Sequence, residues 1–179
     1  PAELTSLSAY RLTELAYEAG VPKEALQMVC GLGENVGAAL GRHMDVDMVS
    51  FTGSTEVGRL FLQYASESNL KEIVLECGGK SPQVVFDDAI LDEAAINNIL
   101  TAAFWNMSEN CSCGSRLIVH SSQKESLLSQ LKKGLKAWKV GSPYESDTAI
   151  GPMIEKTHFE KVCHYLKTAK DEGATLIVG

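Results

Sequence analysis

The loop around Cys111 carries the residue type best suited to nucleophilic chemistry. The stretch 104–115 reads FWNMSENCSCGS, so Cys111 lies between two apolar runs and among small polar neighbours. Most cysteines are buried, unreactive hydrophobic residues, whereas an accessible thiolate is a strong nucleophile. Cys111 is therefore the candidate nucleophile, although the residues alone are also compatible with an unreactive cysteine.

A carboxylate at the end of an apolar strand is the second candidate. Glu76 closes the apolar run before two glycines in the stretch 75–82, which reads LECGGKSP. Ligands meet α/β proteins at the carboxyl ends of strands, and a carboxylate partly removed from water there can act as a base. The same pattern is typical of a solvated charge or of an ion pair with Lys80, so both alternatives remain open.

A third stretch, 51–58, reads FTGSTEVG and predicts a strand that turns into a helix. The free N–H groups and positive dipole end of such a helix suit an anion such as a pyrophosphate. The spacing of Gly53 and Gly58 differs from the G-x-G-x-x-G of ordinary dinucleotide-binding folds. A simple capped turn between strand and helix is the alternative.

The elements that must position these residues alternate between helix and strand along the whole chain. This alternation predicts an α/β fold with largely parallel strands. Ser6 and Ser122 are predicted helix caps, Gly20 a helix stop, and Gly78-Gly79 the internal boundary. The predicted helices cover 6–20, 33–43, 53–66, 91–105, 122–138 and 157–172, and the predicted strands 25–30, 48–51, 73–76, 83–86, 116–120 and 175–178.

The composition argues against several classes of partner. The chain has 16 Lys and Arg against 23 Asp and Glu, a net charge of −7, which disfavours nucleic acid. No apolar run approaches the roughly 20 residues of a membrane span. The five cysteines are an odd number and scattered, and the histidines lack zinc-site spacing. We therefore expect reduced thiols, no metal site, and no nucleic-acid or membrane partner.

Several stretches together resemble the aldehyde dehydrogenase superfamily. The stretches Leu75–Pro82 and Phe104–Ser115 resemble its two active-site signatures, in the right order and at about the right distance. Phe51–Gly58 resembles its cofactor turn, and Pro1–Glu3 the end of its Lys-Pro-x-Glu segment. The resemblance extends over essentially all 179 residues. It implies Rossmann-like parallel-sheet layers of the aldehyde dehydrogenase type, incomplete at both ends.

The resemblance also implies domains and residue roles. Residues 1–77 would be the C-terminal half of the nucleotide-binding domain, and residues 78–179 the N-terminal part of the catalytic domain. Cys111 matches the nucleophile, and Glu76 matches the base that activates the hydrolytic water. The other matched positions are Glu3 (adenosine ribose), Gly33 (beside the adenine pocket), Gly53 and Ser54 (pyrophosphate), and Trp105, Asn110 and Ser112 (substrate tunnel).

One position departs from the family pattern. The residue before the Gln or Glu of the cysteine signature is usually Gly, and here it is Ser108. If this position requires a positive φ, Ser is costly there. Cys113 occupies a position that usually holds a small residue, and we interpret it as a packing residue.

The implied reaction oxidises an aldehyde to a carboxylic acid with NAD(P)+ through a thiohemiacetal and a thioester on Cys111. NAD is expected over NADP because Glu3 would repel a 2′-phosphate. The resemblance further implies a cytoplasmic homo-oligomer, and the stretch 105–111 is similar to enzymes of amine-derived aldehydes. Since the family's oxyanion Asn and nicotinamide-ribose Glu lie outside this chain, we expect an internal piece that is inactive alone. The alternatives are a CoA-acylating member, which would generally lack Glu76, and a non-catalytic member.

Overall fold

A computed structural model describes all 179 residues, from Pro1 to Gly179. The chain folds as two compact units, Pro1–Gly78 and Gly79–Gly179. Each unit contains a two-stranded parallel sheet together with α-helices. The α/β class with parallel strands that the sequence predicts is therefore confirmed.

In the first unit, a helix connects two parallel strands that pair with each other. Strands β1 and β2 pair in register from Met48↔Glu72 to Gly53↔Cys77, and α3 connects them. A parallel pair needs such a crossover because a tight hairpin would reverse the chain direction. The elements are α1 (Ser6–Glu18), a π-helical turn (Gly33–Gly37) continued by α2 (Ala38–Arg42), β1 (Met48–Gly53), α3 (Thr55–Ser66) and β2 (Glu72–Cys77).

Helix α3 begins at a side-chain cap and packs closely on strand β2. The Ser54 hydroxyl oxygen accepts a hydrogen bond from the Val57 N–H at 3.2 Å, which satisfies one of the free donors of the first turn. Gly58 is buried, and a Cβ atom there would lie 3.2 Å from the Cys77 Sγ. The absence of a side chain at Gly58 thus allows the helix to approach the strand.

The second unit repeats the strand–helix–strand arrangement around an apolar core. Strands β3 and β4 are parallel, from Pro82↔Arg116 to Val85↔Val119. The buried core residues are Val85, Ile96, Leu100 and Leu127. The elements are β3 (Pro82–Val85), α4 (Glu93–Phe104), β4 (Arg116–Val119), α5 (Lys124–Gly134) and α6 (Lys156–Asp171).

Two predicted strands, 25–30 and 175–178, do not form. A strand is stabilised by ladder hydrogen bonds to a neighbouring strand, and neither segment has one. Residues 22–26 instead form a turn, in which the Pro22 carbonyl accepts from the N–H groups of Ala25 and Leu26. Leu176 is 75% exposed, because the apolar segment 175–178 does not pair with a strand.

Two predicted caps are also wrong, and strand β1 is less buried than its apolar sequence predicts. Ser6 lies inside the first helical turn and makes no capping bond. The cap before α5 is His120, whose ring accepts from the Ser122 N–H. Met48, the first residue of β1, is 53% exposed, and β1 pairs with β2 alone. Gly20 does end α1, with a φ of +97°.

None of the helices combines the length and the apolar composition that crossing a membrane requires.

Candidate active site

The loop that carries Cys111 begins with an uncommon backbone conformation. One residue after the end of α4, Asn106, Met107 and Ser108 have φ values of +51°, +60° and +64°. Each residue with a side chain costs roughly 1–2 kcal/mol in the left-handed region, although Asn tolerates it better than most. The expectation that Ser108 replaces glycine at a positive-φ position agrees with this geometry.

Hydrogen bonds to the end of α4 hold the loop in this conformation. The Ser108 hydroxyl donates to the Ala103 carbonyl at 2.6 Å, and the Cys113 thiol donates to the same oxygen at 3.2 Å. The Gly114 N–H donates to the Ala102 carbonyl at 2.8 Å. The last carbonyls of a helix have no partner within the helix, so the loop satisfies acceptors that would otherwise need water.

Cys111 itself is exposed, whereas Cys113 is 7% exposed. Cys111 lies in a tight turn closed by the Cys113 N–H, which donates to the Asn110 carbonyl. A Cβ atom at Gly79 would lie 3.2 Å from the Cys111 carbonyl oxygen, so Gly79 permits this close approach. Accessibility suits Cys111 to reaction with a substrate, and burial suits Cys113 to packing.

The three predicted substrate-lining residues form a short hydrogen-bonded chain next to Cys111. The Asn110 side-chain amide donates to the Trp105 carbonyl at 3.2 Å, and the Ser112 hydroxyl donates to Asn110 Oδ1 at 3.0 Å. Trp105 is 63% exposed. The structure therefore brings Trp105, Asn110 and Ser112 together around one loop.

The neighbouring Glu109 connects this loop to α6. Its Oε1 lies 3.1 Å from Nε2 of His158. The two side chains lie in an open groove of about 800 Å³ in the second unit. The groove is lined mainly by apolar side chains, those of Phe104, Met107, Met153, Ile154, Val162 and Leu166.

In the first unit, Glu76 lies near the carboxyl end of β2, paired with Thr52 of β1. Its side chain is exposed, which agrees with the solvated charge that the sequence left open and not with a carboxylate partly removed from water. In the second unit, the Lys80 ammonium donates to the Gly79 carbonyl at 2.9 Å. Glu76 thus has the predicted strand-end position, and its carboxylate is accessible to water.

A second cavity, of about 780 Å³, lies within the first unit and contains two predicted cofactor residues. The Gly33 N–H donates to Glu3 Oε1 at 3.1 Å, and both residues line the cavity. Hydrogen bonds from the backbone N–H groups of Glu3 itself and of Gly33 hold the pKa of the Glu3 carboxyl below its usual range. Glu3 is therefore an ionised acceptor that can also receive hydrogen bonds from hydroxyl groups.

The predicted anion-binding turn has the expected strand-to-helix geometry. Strand β1 ends at Gly53, Ser54 caps α3, and the N–H groups of Thr55 and Glu56 donate to no acceptor. A Cβ atom at Gly53 would lie 2.4 Å from the Phe51 ring, so a side chain there would force that ring to shift. Thr52 and Val57, on either side of the turn, line the cavity of the first unit. Free backbone donors at the start of a helix suit an anion such as a pyrophosphate.

Comparison with known proteins identifies the family. The sequence profile described as the aldehyde dehydrogenase family matches residues 1–179. The chain belongs to the aldehyde dehydrogenase family. An aminoacetaldehyde dehydrogenase of Pseudomonas aeruginosa is 50% identical over 179 residues, which are 100% of this chain and 36% of that protein. The chain thus spans about a third of the length of the curated relatives that it matches.

Solved aldehyde dehydrogenase structures have the same fold. The indole-3-acetaldehyde dehydrogenase AldA of P. syringae, in complex with NAD+, has a TM-score of 0.95 and 40% identity. The aldehyde dehydrogenase KauB from Pseudomonas aeruginosa has a TM-score of 0.95 and 41% identity. Each match covers 100% of this chain and 36% of the other. These similarities confirm the aldehyde dehydrogenase type of α/β fold.

The contact between Glu109 and His158 is the feature of this aldehyde dehydrogenase chain that the sequence does not reveal. The two residues are 49 positions apart, and no motif or helical spacing connects them. Glu109 forms part of the cysteine signature, but its contact with His158 depends on where α6 packs in the folded chain. No group of three or more His, Cys, Asp or Glu side chains is arranged to hold a metal ion.

Proposed function

We propose that the whole protein oxidises an aldehyde to a carboxylic acid with NAD(P)+, using Cys111 as the nucleophile and Glu76 as the general base. One observation carries the proposal. Cys111 is the exposed thiol of a loop that is bonded to the end of α4, in a chain of the aldehyde dehydrogenase family. The neighbouring Cys113 is buried, so accessibility distinguishes the two thiols.

The two units correspond to two proposed domains. Residues 1–77 contribute to the nucleotide-binding domain, and the proposal is supported by the cavity that Glu3 and Gly33 line. Residues 78–179 contribute to the catalytic domain, supported by the Cys111 loop. The observed boundary between the units falls between Gly78 and Gly79.

We assign the cofactor to the first unit. Glu3 accepts hydrogen bonds from the adenosine ribose, Gly33 lies beside the adenine, and Gly53 and Ser54 contact the pyrophosphate. The free N–H groups after Ser54 support the last assignment. NAD is preferred to NADP because the ionised Glu3 carboxylate would repel a 2′-phosphate. When bound, the nicotinamide supplies the hydride acceptor.

The residues of this chain perform the remaining steps. The Cys111 thiolate adds to the aldehyde carbon and forms a thiohemiacetal, whose oxyanion accepts a hydrogen bond from the Cys111 backbone N–H. Loss of a hydride from that carbon leaves a thioester. Glu76 then takes a proton from water, and the resulting hydroxide attacks the thioester carbon. The C–S bond breaks, which releases the acid and regenerates the Cys111 thiolate.

The proposed substrate class is amine-derived aldehydes, with Trp105, Asn110 and Ser112 lining the path to Cys111. The proposal is supported by the 50% identity to an aminoacetaldehyde dehydrogenase. A related γ-glutamyl-γ-aminobutyraldehyde dehydrogenase from Burkholderia cenocepacia is 40% identical, with a TM-score of 0.90, over 96% of this chain and 34% of that one. A screen of aldehydes with and without an amino group, followed by NADH absorbance, tests this assignment.

We further propose a cytoplasmic homo-oligomer that binds neither nucleic acid nor membranes. The net charge of −7 supports the absence of a nucleic-acid partner. The five cysteines are all free, as in a reducing compartment. The homo-oligomer follows from the family resemblance, and light scattering of the purified whole protein measures it directly.

The nucleophile is tested by a matched pair of cysteine substitutions in the whole protein. Cys111→Ala is expected to abolish NADH production from aldehydes while NAD binding survives, because the thiol is needed only for the chemistry. Cys113→Ala, two positions away, is the control and should retain most of the activity. The opposite pattern, with loss in Cys113→Ala and retention in Cys111→Ala, would reverse the assignment. Formation of the acid should not require added CoA, and this distinguishes hydrolysis of the thioester from acyl transfer to CoA.

A further inference from the structure

A single side-chain hydrogen bond joins helix α6 to the rest of the second unit. His158 Nε2 lies 3.1 Å from Glu109 Oε1. The other side-chain hydrogen bonds of α6 remain inside the helix, as between Thr168 and His164. Because an ionised carboxylate can only accept, the His158 Nε2–H is the donor. The bond therefore fixes both the ring of His158 and the carboxylate of Glu109.

The surroundings of this pair strengthen it. The side chains of Glu109 and His158 are 33% and 36% exposed, so both are partly removed from water. Apolar side chains, among them Met107 and Ile154, line the groove around them. Hydrogen bonds with a charged partner are stronger where the local dielectric constant is low, whereas fully exposed pairs contribute little.

The hydrogen bond between Glu109 and His158 lies next to a segment with an unfavourable backbone conformation. Glu109 directly follows the three residues with positive φ, 106–108, and lies two positions before Cys111. Such conformations persist only where surrounding contacts determine them. The Ser108 hydroxyl holds this segment to the Ala103 carbonyl, and Glu109 is the next point of attachment along the chain.

We propose that Glu109 and His158 are positioning residues, which hold the loop so that the Cys111 thiol is presented in one orientation. This inference rests on the proposed function of Cys111 as the nucleophile. Neither side chain needs to touch the substrate. Their effect passes through the backbone between Glu109 and Cys111, and it couples helix α6 to the reacting thiol.

The test compares substitutions in the whole protein that remove or preserve the bond. His158→Leu and Glu109→Ala should each lower kcat for aldehyde oxidation about tenfold while leaving the KM for NAD within about twofold, because only thiol geometry is disturbed. His158→Gln, whose amide keeps a donor, should restore most of kcat. The double variant should lose no more than the larger single loss, since coupled residues are not additive. His164→Leu on the same helix is the control and should behave as the parent.

A second measurement does not depend on activity. Hydrogen exchange of the peptide 105–115 should be faster in His158→Leu and in Glu109→Ala, and unchanged in His158→Gln and His164→Leu. Unchanged exchange together with unchanged kcat in the first two variants would overturn the proposal. A parent protein without Cys111-dependent oxidation would overturn the proposed function instead, and the exchange result would still decide whether the pair holds the loop. Should His158→Leu not fold, Glu109→Ala provides the same comparison.

Discussion

At the scale of single residues, two side chains of the Cys111 loop share one backbone acceptor, the carbonyl oxygen of Ala103. It accepts hydrogen bonds from the Ser108 hydroxyl and from the Cys113 thiol. Ser108 combines a costly φ of +64° with this hydrogen bond, so its hydroxyl offsets part of the strain of its backbone. The departure from the family's usual glycine therefore has a local compensation that glycine itself could not provide.

Glu3 provides a residue-scale prediction about cofactor choice. In the whole protein, Glu3→Gln should lower the ratio of kcat/KM for NAD to that for NADP about tenfold, because it removes the negative charge that we propose repels the 2′-phosphate. The control is Glu34→Gln, which removes an acid from the adjacent π-helical turn. It should leave the ratio unchanged. An equal ratio in the parent and in Glu3→Gln would show that Glu3 does not set the preference.

At the scale of elements, the helices could be predicted from the sequence and the short strands only where a partner exists. Apolar spacing and a glycine stop identify α1, and the short apolar run 73–75 identifies β2. The segments 25–30 and 175–178 have equally apolar sequences but pair with nothing. Strand formation depends on a neighbour that local sequence does not reveal.

The candidate site could likewise be predicted only where local sequence patterns define it. Cys111, Glu76 and the turn at Gly53 could be located from motifs because each lies where a strand or helix ends. The bond between Glu109 and His158 joins positions 49 residues apart, and its formation depends on how α6 packs. Sequence patterns report local periodicity, so a contact of this kind becomes visible only in the folded chain.

Ser54, the N-cap of α3, provides a prediction at the scale of elements. Ser54→Ala removes the acceptor of the Val57 N–H and should lower the free energy of unfolding by about 1 kcal/mol. It should also weaken NAD binding, because the same turn is proposed to hold the pyrophosphate. Ser66→Ala, at the other end of the helix, should change the free energy by less than about 0.5 kcal/mol. Chemical denaturation and NAD titration of the two variants measure these effects. Equal stability of the two variants would contradict the capping role.

At the scale of the whole molecule, the proposed site residues are divided between the two units. Glu3, Gly33, the turn at Gly53 and Glu76 belong to the first unit, and the Cys111 loop belongs to the second. The chain matches the aldehyde dehydrogenase family throughout and spans about a third of its curated relatives. The reaction is therefore a property to be measured on the whole protein.

The most direct test of the mechanism separates the two halves of the reaction. In the whole protein, Glu76→Gln should still form the thioester but hydrolyse it slowly, because Gln is nearly isosteric and cannot take a proton from water. Mixing this variant with NAD and an aldehyde should give a burst of up to about one NADH per site, followed by very slow turnover. Mass spectrometry should then find an acyl group on Cys111. Full steady-state turnover by Glu76→Gln, with no adduct on Cys111, would contradict the account.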